Sequence, residues 1–384
     1  MIRAFVIVSL LGGCELIADI PTSTPIDPDA MDDGDATPPE CTDSAACTMV
    51  GKPICDLTTN TCGGCVADSE CASNVCLMDG TCADPARFVY AAAGGSDTAC
   101  TVGQPCTVDT AVTMLTATKD IVKLAPGTYA RAAPLNIAIA GTLAGGGSTF
   151  TVAGPAGTAA ITATGVPVHI LGLTLNVATN NSAIRCNTVG GELHLSRMRI
   201  SGSNAGIVSL CPLVVDRTTI TGAAFYALYA NAAPVTIRNS YIVRTGTMAT
   251  LMIAAVQLED VPSGTIEHVT IANTTAAGPS GLRCPGSAGV TIRNIIAWDN
   301  VAPGIDPTCV VSNSIVDPGY TTGTANMSIS PMFLDAANTN YRLMPLSPAG
   351  GAGTRDAMFG IDGDGEDRPQ PPGSNPDPGA DEIP

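Results

Sequence analysis

The chain has 384 residues and a formal net charge of −17, with 45% hydrophobic, 13% charged and only 4% aromatic residues. Its hydrophobic content is enough to bury a large core, and few aromatics beside plentiful Gly, Ala and Thr suit stacked short strands better than a helical enzyme core. The acidic balance argues against a nucleic-acid partner, since phosphates are neutralised by Lys and Arg with release of counterions; the acid concentrated near residues 27–35 and 362–367 reads as solvating charge.

Met1-Ile2-Arg3 and the apolar run from Ala4 to Leu11 form the charged and hydrophobic regions of an export signal, too short to span a bilayer as a helix. Leu11-Gly12-Gly13-Cys14 follows and resembles a bacterial lipoprotein lipobox. The resemblance implies a signal peptide over residues 1–13, lipidation of Cys14, a membrane partner through that lipid, and a place on the outer membrane or cell surface. Fifteen cysteines less Cys14 leave an even fourteen, which for an exported chain reads as disulfides.

Residues 14–40 are rich in Pro, Asp, Thr and Ala without apolar periodicity, the composition of a flexible stalk. Eight cysteines then fall between Cys41 and Cys82. So small a segment, residues 41–84, needs covalent staples in place of a core. Cys62-Gly63-Gly64-Cys65 has zinc-like spacing, but export and the absence of His there favour four disulfides, with connectivity left open. The stretch from Asp68 to Cys76, closed by Gly80-Thr81-Cys82, resembles cysteine-rich repeats ahead of larger domains in bacterial surface lipoproteins.

Residues 85–335 carry the periodicity. Ile170, Leu195, Val215, Ile237, Ile266, Ile292 and Val311 centre apolar-any-apolar segments 19 to 29 residues apart, the period of a solenoid. Five residues on stand Leu175, Ile200, Ile220, Ile242, Ile271, Ala297 and Val316, all apolar. Alternation at period 2 points these side chains inward, and the offset of five places a corner between two strands. Asn239, Asn294 and Asn313 occupy that corner, where Asn tolerates the left-handed conformation. Such a row resembles the asparagine ladder of pectin-lyase-like parallel β-helices. Asp216, Arg238, Glu267 and Arg293 alternate in sign on consecutive coils as an exposed charge row. Cys186 and Cys211, like Cys284 and Cys309, stand 25 residues apart, one coil, and are expected to staple neighbouring coils; Cys100 and Cys106 close a small loop.

Phe88-Val89-Tyr90, Gly94-Gly95-Ser96-Asp97 and the run from Ile121 to Tyr129 resemble the opening of bacterial right-handed β-helix repeat proteins, which implies a capping helix near residues 108–116. Ser330-Pro331-Met332-Phe333-Leu334-Asp335, Tyr341-Arg342-Leu343, Asp362-Gly363-Asp364-Gly365 and Gly379-Ala380-Asp381-Glu382 closely resemble the tail of the choice-of-anchor Q surface-protein family. The fold expected is therefore all-β, a right-handed parallel β-helix of the pectin-lyase-like type behind a disulfide-rich module, with residues 336–384 as cap and acidic tail.

In that family the groove lies along the first strand of each coil. Here those strands centre on Ile184, Ile207, Leu228, Val256, Leu282 and Ile305, so Arg185, Val208, Tyr229, Gln257, Arg283 and Asp306 form one outward row. Arg, Tyr and Gln are sugar-binding groups, the Tyr by stacking and the Arg by forking onto a carboxylate. A lyase needs a base beside Ca²⁺-holding carboxylates, and a hydrolase needs two carboxyls about 5 to 9.5 Å apart. Asp306 stands alone in the row, with Glu259 and Asp260 away from it, and the polygalacturonase paired-Asp and Gly-His-Gly motifs are missing. His169 and His194 precede core residues in adjacent coils and read as a surface stack. His268 lies at the asparagine corner, and Trp298 faces outward after Ala297. Asp362 and Asp364 resemble a miniature calcium loop but lack the late bidentate Glu, so they read as an acidic turn and no cofactor is expected. The reading that results is non-catalytic binding of polysaccharide or another envelope component; a uronate-directed lyase or hydrolase and a structural spacer or adhesin are the alternatives.

Overall fold

The computed structural model describes residues 40–384 apart from 50, 58–59, 97, 179–180, 189, 247–252, 276–279, 302 and 356–359. The signal, Cys14 and the stalk lie outside the described residues. No described helix is long and apolar enough to cross a membrane.

The body is a right-handed parallel β-solenoid in which each full coil contributes one strand to a seven-stranded sheet and a bent pair to an eighteen-stranded sheet. The short sheet comprises β1 (Leu135–Ile137), β2 (Ala159–Ala163), β3 (Ser182–Cys186), β4 (Ala205–Ser209), β5 (Leu228–Asn231), β6 (Val256–Glu259) and β7 (Leu282–Arg283). The register follows the apolar columns: Ile170 pairs with Leu195, Leu195 with Val215, Val215 with Ile237, Ile237 with Ile266, and Ile266 with Ile292. All six are at most 3% exposed. Full burial of such a side chain stabilises by about 1.5–3 kcal/mol, so the columns hold the coils in phase. At the N-terminal end the helix Val108–Thr113, N-capped by the Thr107 hydroxyl, buries Val108, Ala111 and Val112 over the first coils.

Between the two strands of the long sheet, one residue per coil turns left-handed. The row runs Gly172, Arg197, Arg217, Asn239, His268, Asn294 and Asn313, with φ from 46° to 60°. The asparagines are thus part of a longer row with mixed occupants and do not bond to one another. Asn239 Nδ2 donates to Asp216 at 3.3 Å, and Asn294 lies 3.3 Å from His268 Nε2. Stacking between coils passes instead through inward hydroxyls one residue later. Thr218, Ser240 and Ser314 each donate to the carbonyl two residues back, at 3.0, 2.6 and 2.7 Å. They accept from Met198, Thr218 and Ile295 N–H of the preceding coil at 3.4, 3.1 and 3.0 Å.

The charge row pairs across coils as its register requires, Arg238 with Asp216 at 3.1 Å and Arg293 with Glu267. It is not an exposed row, however, since Asp216 and Glu267 are 8% and 2% exposed. Among the described residues seven disulfides form, including Cys186–Cys211, Cys284–Cys309 and Cys100–Cys106. In the module the pairs are Cys41–Cys55, Cys47–Cys62, Cys65–Cys76 and Cys71–Cys82, so each half is knotted first to third and second to fourth. Cys62 and Cys65 are thereby excluded as zinc thiolates. Trp298 is half-buried against the cluster of Ile296, Ile315 and Leu343, which makes it part of the C-terminal cap.

Both non-solenoid segments dock on the corner ridge. Arg197 donates to Asp68 at 3.0 Å and to the Cys76 carbonyl at 2.6 Å, Arg217 to the Val66 carbonyl at 2.8 Å. Val75 and Ala83 pack beside these contacts on Phe88, Ile121 and Ala144. At Gly172 an added Cβ would stand 3.2 Å from Asp68 Oδ2 on a φ of +60°, so the module's approach suits glycine there.

The C-terminal segment continues along the same ridge and overturns its reading as a solvated acidic tail. Asp362 is fully buried, and its carboxylate accepts from the N–H groups of Asp364, Gly365 and Glu366 at 2.9 Å and of Glu382 at 3.1 Å. Arg368, also buried, contacts His268, donates to the Asp377 and Gly379 carbonyls at 3.0 and 3.1 Å, and pairs with Glu382 at 3.4 Å. Gly379 N–H then reaches the Asn294 carbonyl at 2.9 Å, and Asp381 accepts from Leu343 N–H at 2.7 Å. These carboxylates replace the strand partners that an irregular segment lacks.

Two outcomes are expected. Arg197→Ala combined with Arg217→Ala should raise protease cleavage between module and solenoid about tenfold, the equivalent of about 1.4 kcal/mol of lost docking, with the β-sheet circular dichroism unchanged; unaltered cleavage would show that the apolar contact alone seats the module. Burial, with Asp362 and Asp364 adding to it, raises the Asp381 carboxyl to about 7. Between the ordinary carboxyl value of 3.8 and about 7 the folded chain therefore binds more protons than the unfolded one. Its contribution is full below the unfolded value and is lost as pH rises through the folded one. Asp381→Asn should raise the melting temperature at alkaline pH, by roughly 2–4 °C for each kcal/mol relieved, and flatten its decline over that window. A parental slope in the variant would contradict this.

Candidate functional site

With the corner ridge covered from both ends, the outer face of the short sheet is the long surface to consider. Ile161, Ile184, Ile207, Leu228, Val256 and Leu282 point inward from β2 to β7 and are fully buried. Period 2 then sends their neighbours outward. The register lines up Thr162, Arg185, Val208, Tyr229, Gln257 and Arg283 strand by strand. Ile305 bridges to Leu282, which places Asp306 at the end of the same row.

The row is assembled in two parts. Arg185 donates to Ser182 at 3.2 Å and is separated from Tyr229 by Val208, so it joins no other polar member of the row. Toward the other end, Arg283 Nε lies 3.6 Å from Asp306 Oδ2, and the other Asp306 oxygen accepts from Thr308 N–H and hydroxyl at 2.8 and 2.7 Å.

Between them lies Glu259, which joins the row instead of standing away from it. Glu259 follows Gln257 by two residues on β6, hence on the same face, opposite Asn231 of β5. Tyr229 donates its hydroxyl to Glu259 Oε2 at 2.7 Å, and Gln257 Nε2 donates to Glu259 Oε1 at 2.5 Å. Asn231 Nδ2 donates to the Tyr229 oxygen at 3.2 Å. The signal was present in the period-2 alternation, applied one position further along the strand. Gln257 departs from expectation in the other sense: it is 3% exposed, so it positions Glu259 from below and does not meet a ligand. Tyr226 adds a second ring, 5.2 Å from Tyr229 and tilted by 40°.

The electrostatics follow from these bonds. The Tyr229 hydrogen bond holds Glu259 below the ordinary glutamate range, with Gln257 and Arg283 acting in the same direction against desolvation. Burial, then the bond to Glu259, pushes Tyr229 up to about 12. At neutral pH the site therefore holds a carboxylate and a protonated phenol. A general acid requires the opposite, a carboxyl raised toward neutrality. Glu259 leans to β5 while Asp306 pairs with β7. Their backbones stand two strands and two residues apart, roughly 11 Å from the strand and residue spacings, so the two carboxylates do not converge on a glycosidic bond. What the patch offers is two tilted aromatic rings beside fixed donors and acceptors.

Other candidates resolve differently. His169 and His194 pair in register and stack, with ring centroids 4.6 Å apart and planes at 13°. The carboxylates of Asp362, Asp364 and Asp381 offer oxygens within 4.8 Å of one another. Those of Asp362 are taken by four backbone N–H groups, and Asp364 is paired with Arg342 at 2.8 Å, so this cluster is part of the strap.

No protein-family model and no curated protein matches the sequence. Among solved structures the chain is similar to the crystal structure of pectate lyase Pel9A, with 14% sequence identity and a TM-score of 0.48 over 77% of this chain and 96% of that one.

Proposed function

We propose that this chain is an exported, non-catalytic surface protein, tethered by a lipid on Cys14, that binds a hydroxyl-rich polysaccharide of the cell envelope on the outer face of the short sheet. The observation that carries this reading is the Tyr226–Tyr229 ring pair beside the Tyr229–Glu259–Gln257 network, on a face where, among the described residues, neither the module nor the C-terminal strap bonds to Tyr229 or Glu259. Aromatic faces stack on pyranose rings, and the Glu259 carboxylate, held by Gln257, accepts from sugar hydroxyls. Arg283 is engaged by Asp306 and Glu259 is ionised, so the patch favours a neutral chain over a uronate. Export is supported by the seven disulfides, which persist in oxidising compartments. The anchor rests on the lipobox-like Leu11-Gly12-Gly13-Cys14.

The test is incubation of the full chain with neutral and acidic polysaccharides, with and without Ca²⁺, recording retention and glycan length. Retention of a neutral glycan at unchanged length is expected, with Tyr229→Ala weakening it about tenfold, the scale of one aromatic contact of about 1.4 kcal/mol. Shortened chains would replace binding by catalysis, and absence of retention across the panel would leave the spacer or adhesin reading. Cys14→Ser should move the protein from the membrane to the soluble fraction; unchanged fractionation would remove the lipid anchor.

A further inference from the structure

The short-sheet face does not use the histidine pair on the long sheet. On that sheet the outward row reads Thr142, His169, His194, Val214, Thr236, Thr265 and Thr291, so two imidazoles interrupt a row otherwise built of β-branched residues. They do so where the cysteine module overhangs the sheet. His169 and His194 line a cleft of about 880 Å³ together with the module's Leu77, Met78 and Asp79 and with Arg87, Asp120 and Arg238, the last of which is paired with Asp216. Asp120 is occupied by Arg87, at 2.7 and 2.8 Å, and Asp79 by Thr81, at 2.6 and 3.0 Å. Neither carboxylate therefore bonds to His169, whose ring nitrogens make no hydrogen bond among the described residues.

His194 is differently placed. Its Nε2 contacts the Glu192 carboxylate two residues back on the same strand. In a neutral imidazole that contact puts the proton on Nε2 and leaves the lone pair on Nδ1. A carboxylate behind one ring nitrogen is the usual support of a metal-ligating histidine, because it fixes the tautomer and raises the basicity of the other nitrogen.

We propose that His169 and His194 together bind a divalent transition-metal ion of the Cu²⁺ or Zn²⁺ class in the cleft between module and solenoid, with Glu192 as the positioning residue of His194. Metal–imidazole bonds of about 2.0–2.1 Å bring two ligating nitrogens to roughly 3–3.5 Å. The His169 ring, which no hydrogen bond holds, reaches that separation by rotation about its soft χ2 torsion while His194 stays on Glu192. Remaining coordination positions face the open cleft, where water or a ligand oxygen fills them.

The composition makes the test specific. The chain has three histidines, and His268 is fully buried at the corner. The fourteen described cysteines are closed in disulfides. In the full chain carrying Cys14→Ser, to remove the remaining thiol, titration with Cu²⁺ alone is expected to give a single tight site whose pulsed electron paramagnetic resonance shows two imidazole nitrogens. His169→Gln and His194→Gln should each reduce the signal to one imidazole and weaken binding at least about tenfold. Glu192→Gln should weaken binding by about tenfold with both imidazoles retained. Circular dichroism matching the parent shows that each variant is folded. Affinity unchanged in the His169→Gln/His194→Gln double variant, or a parental spectrum with fewer than two imidazoles, would overturn the proposal.

Discussion

Each coil of this solenoid must turn the same corner at the same place, because strands about 4.8 Å apart leave no room for one coil to bend out of step with the next. The corner demands a left-handed residue, a conformation that costs most L-residues about 1–2 kcal/mol. Glycine and asparagine meet that demand cheaply at Gly172, Asn239, Asn294 and Asn313, but Arg197, Arg217 and His268 meet it as well. Their side chains leave the corner pointing away from the coil, and each is a docking group.

The strained ridge is consequently also the attachment line of the molecule. Arg197 and Arg217 hold the cysteine module, and His268 and Asn294 hold the C-terminal strap. Segments without regular strand partners need fixed donors and acceptors, and a row of polar side chains and bent backbone at constant spacing supplies them. Arg217 stands where the two meet: it donates to Val66 of the module, and Gly365 of the strap passes close to its guanidinium. Covering this ridge leaves the outer face of the short sheet, with the Tyr229–Glu259 pair on it, free of both segments among the described residues. The overhang of the module on the other sheet creates the cleft above the two histidines. One constraint on backbone shape thus sets which surfaces are hidden and which can meet a ligand.

Much of this was legible in the chain. Apolar residues at a repeating offset of five fix two strands and a corner, since inward side chains must stack on their equivalents one coil away. The spacing of 25 residues between Cys186 and Cys211, and between Cys284 and Cys309, corresponds to one coil, and both pairs close. The outward row from Arg185 to Asp306 follows from period 2 alone. These features are local or repeat with the coil, so a one-dimensional reading reaches them.

The remainder depended on contacts that no period encodes. Glu259 becomes the centre of the site through Tyr229, 30 residues earlier, and Gln257 is buried because its neighbours close over it. Asp362 reads as solvated charge in the sequence; it is buried because Glu382 and the turn after it converge on its oxygens. The seating of the module rests on pairs such as Arg197 and Asp68, 129 residues apart. The coil is written into the repeat, because the hydrophobic effect and strand spacing act on every turn alike. Which charges are buried and which face is left to ligands is settled by long-range packing, because two irregular segments find their partners along the ridge at positions no local pattern marks.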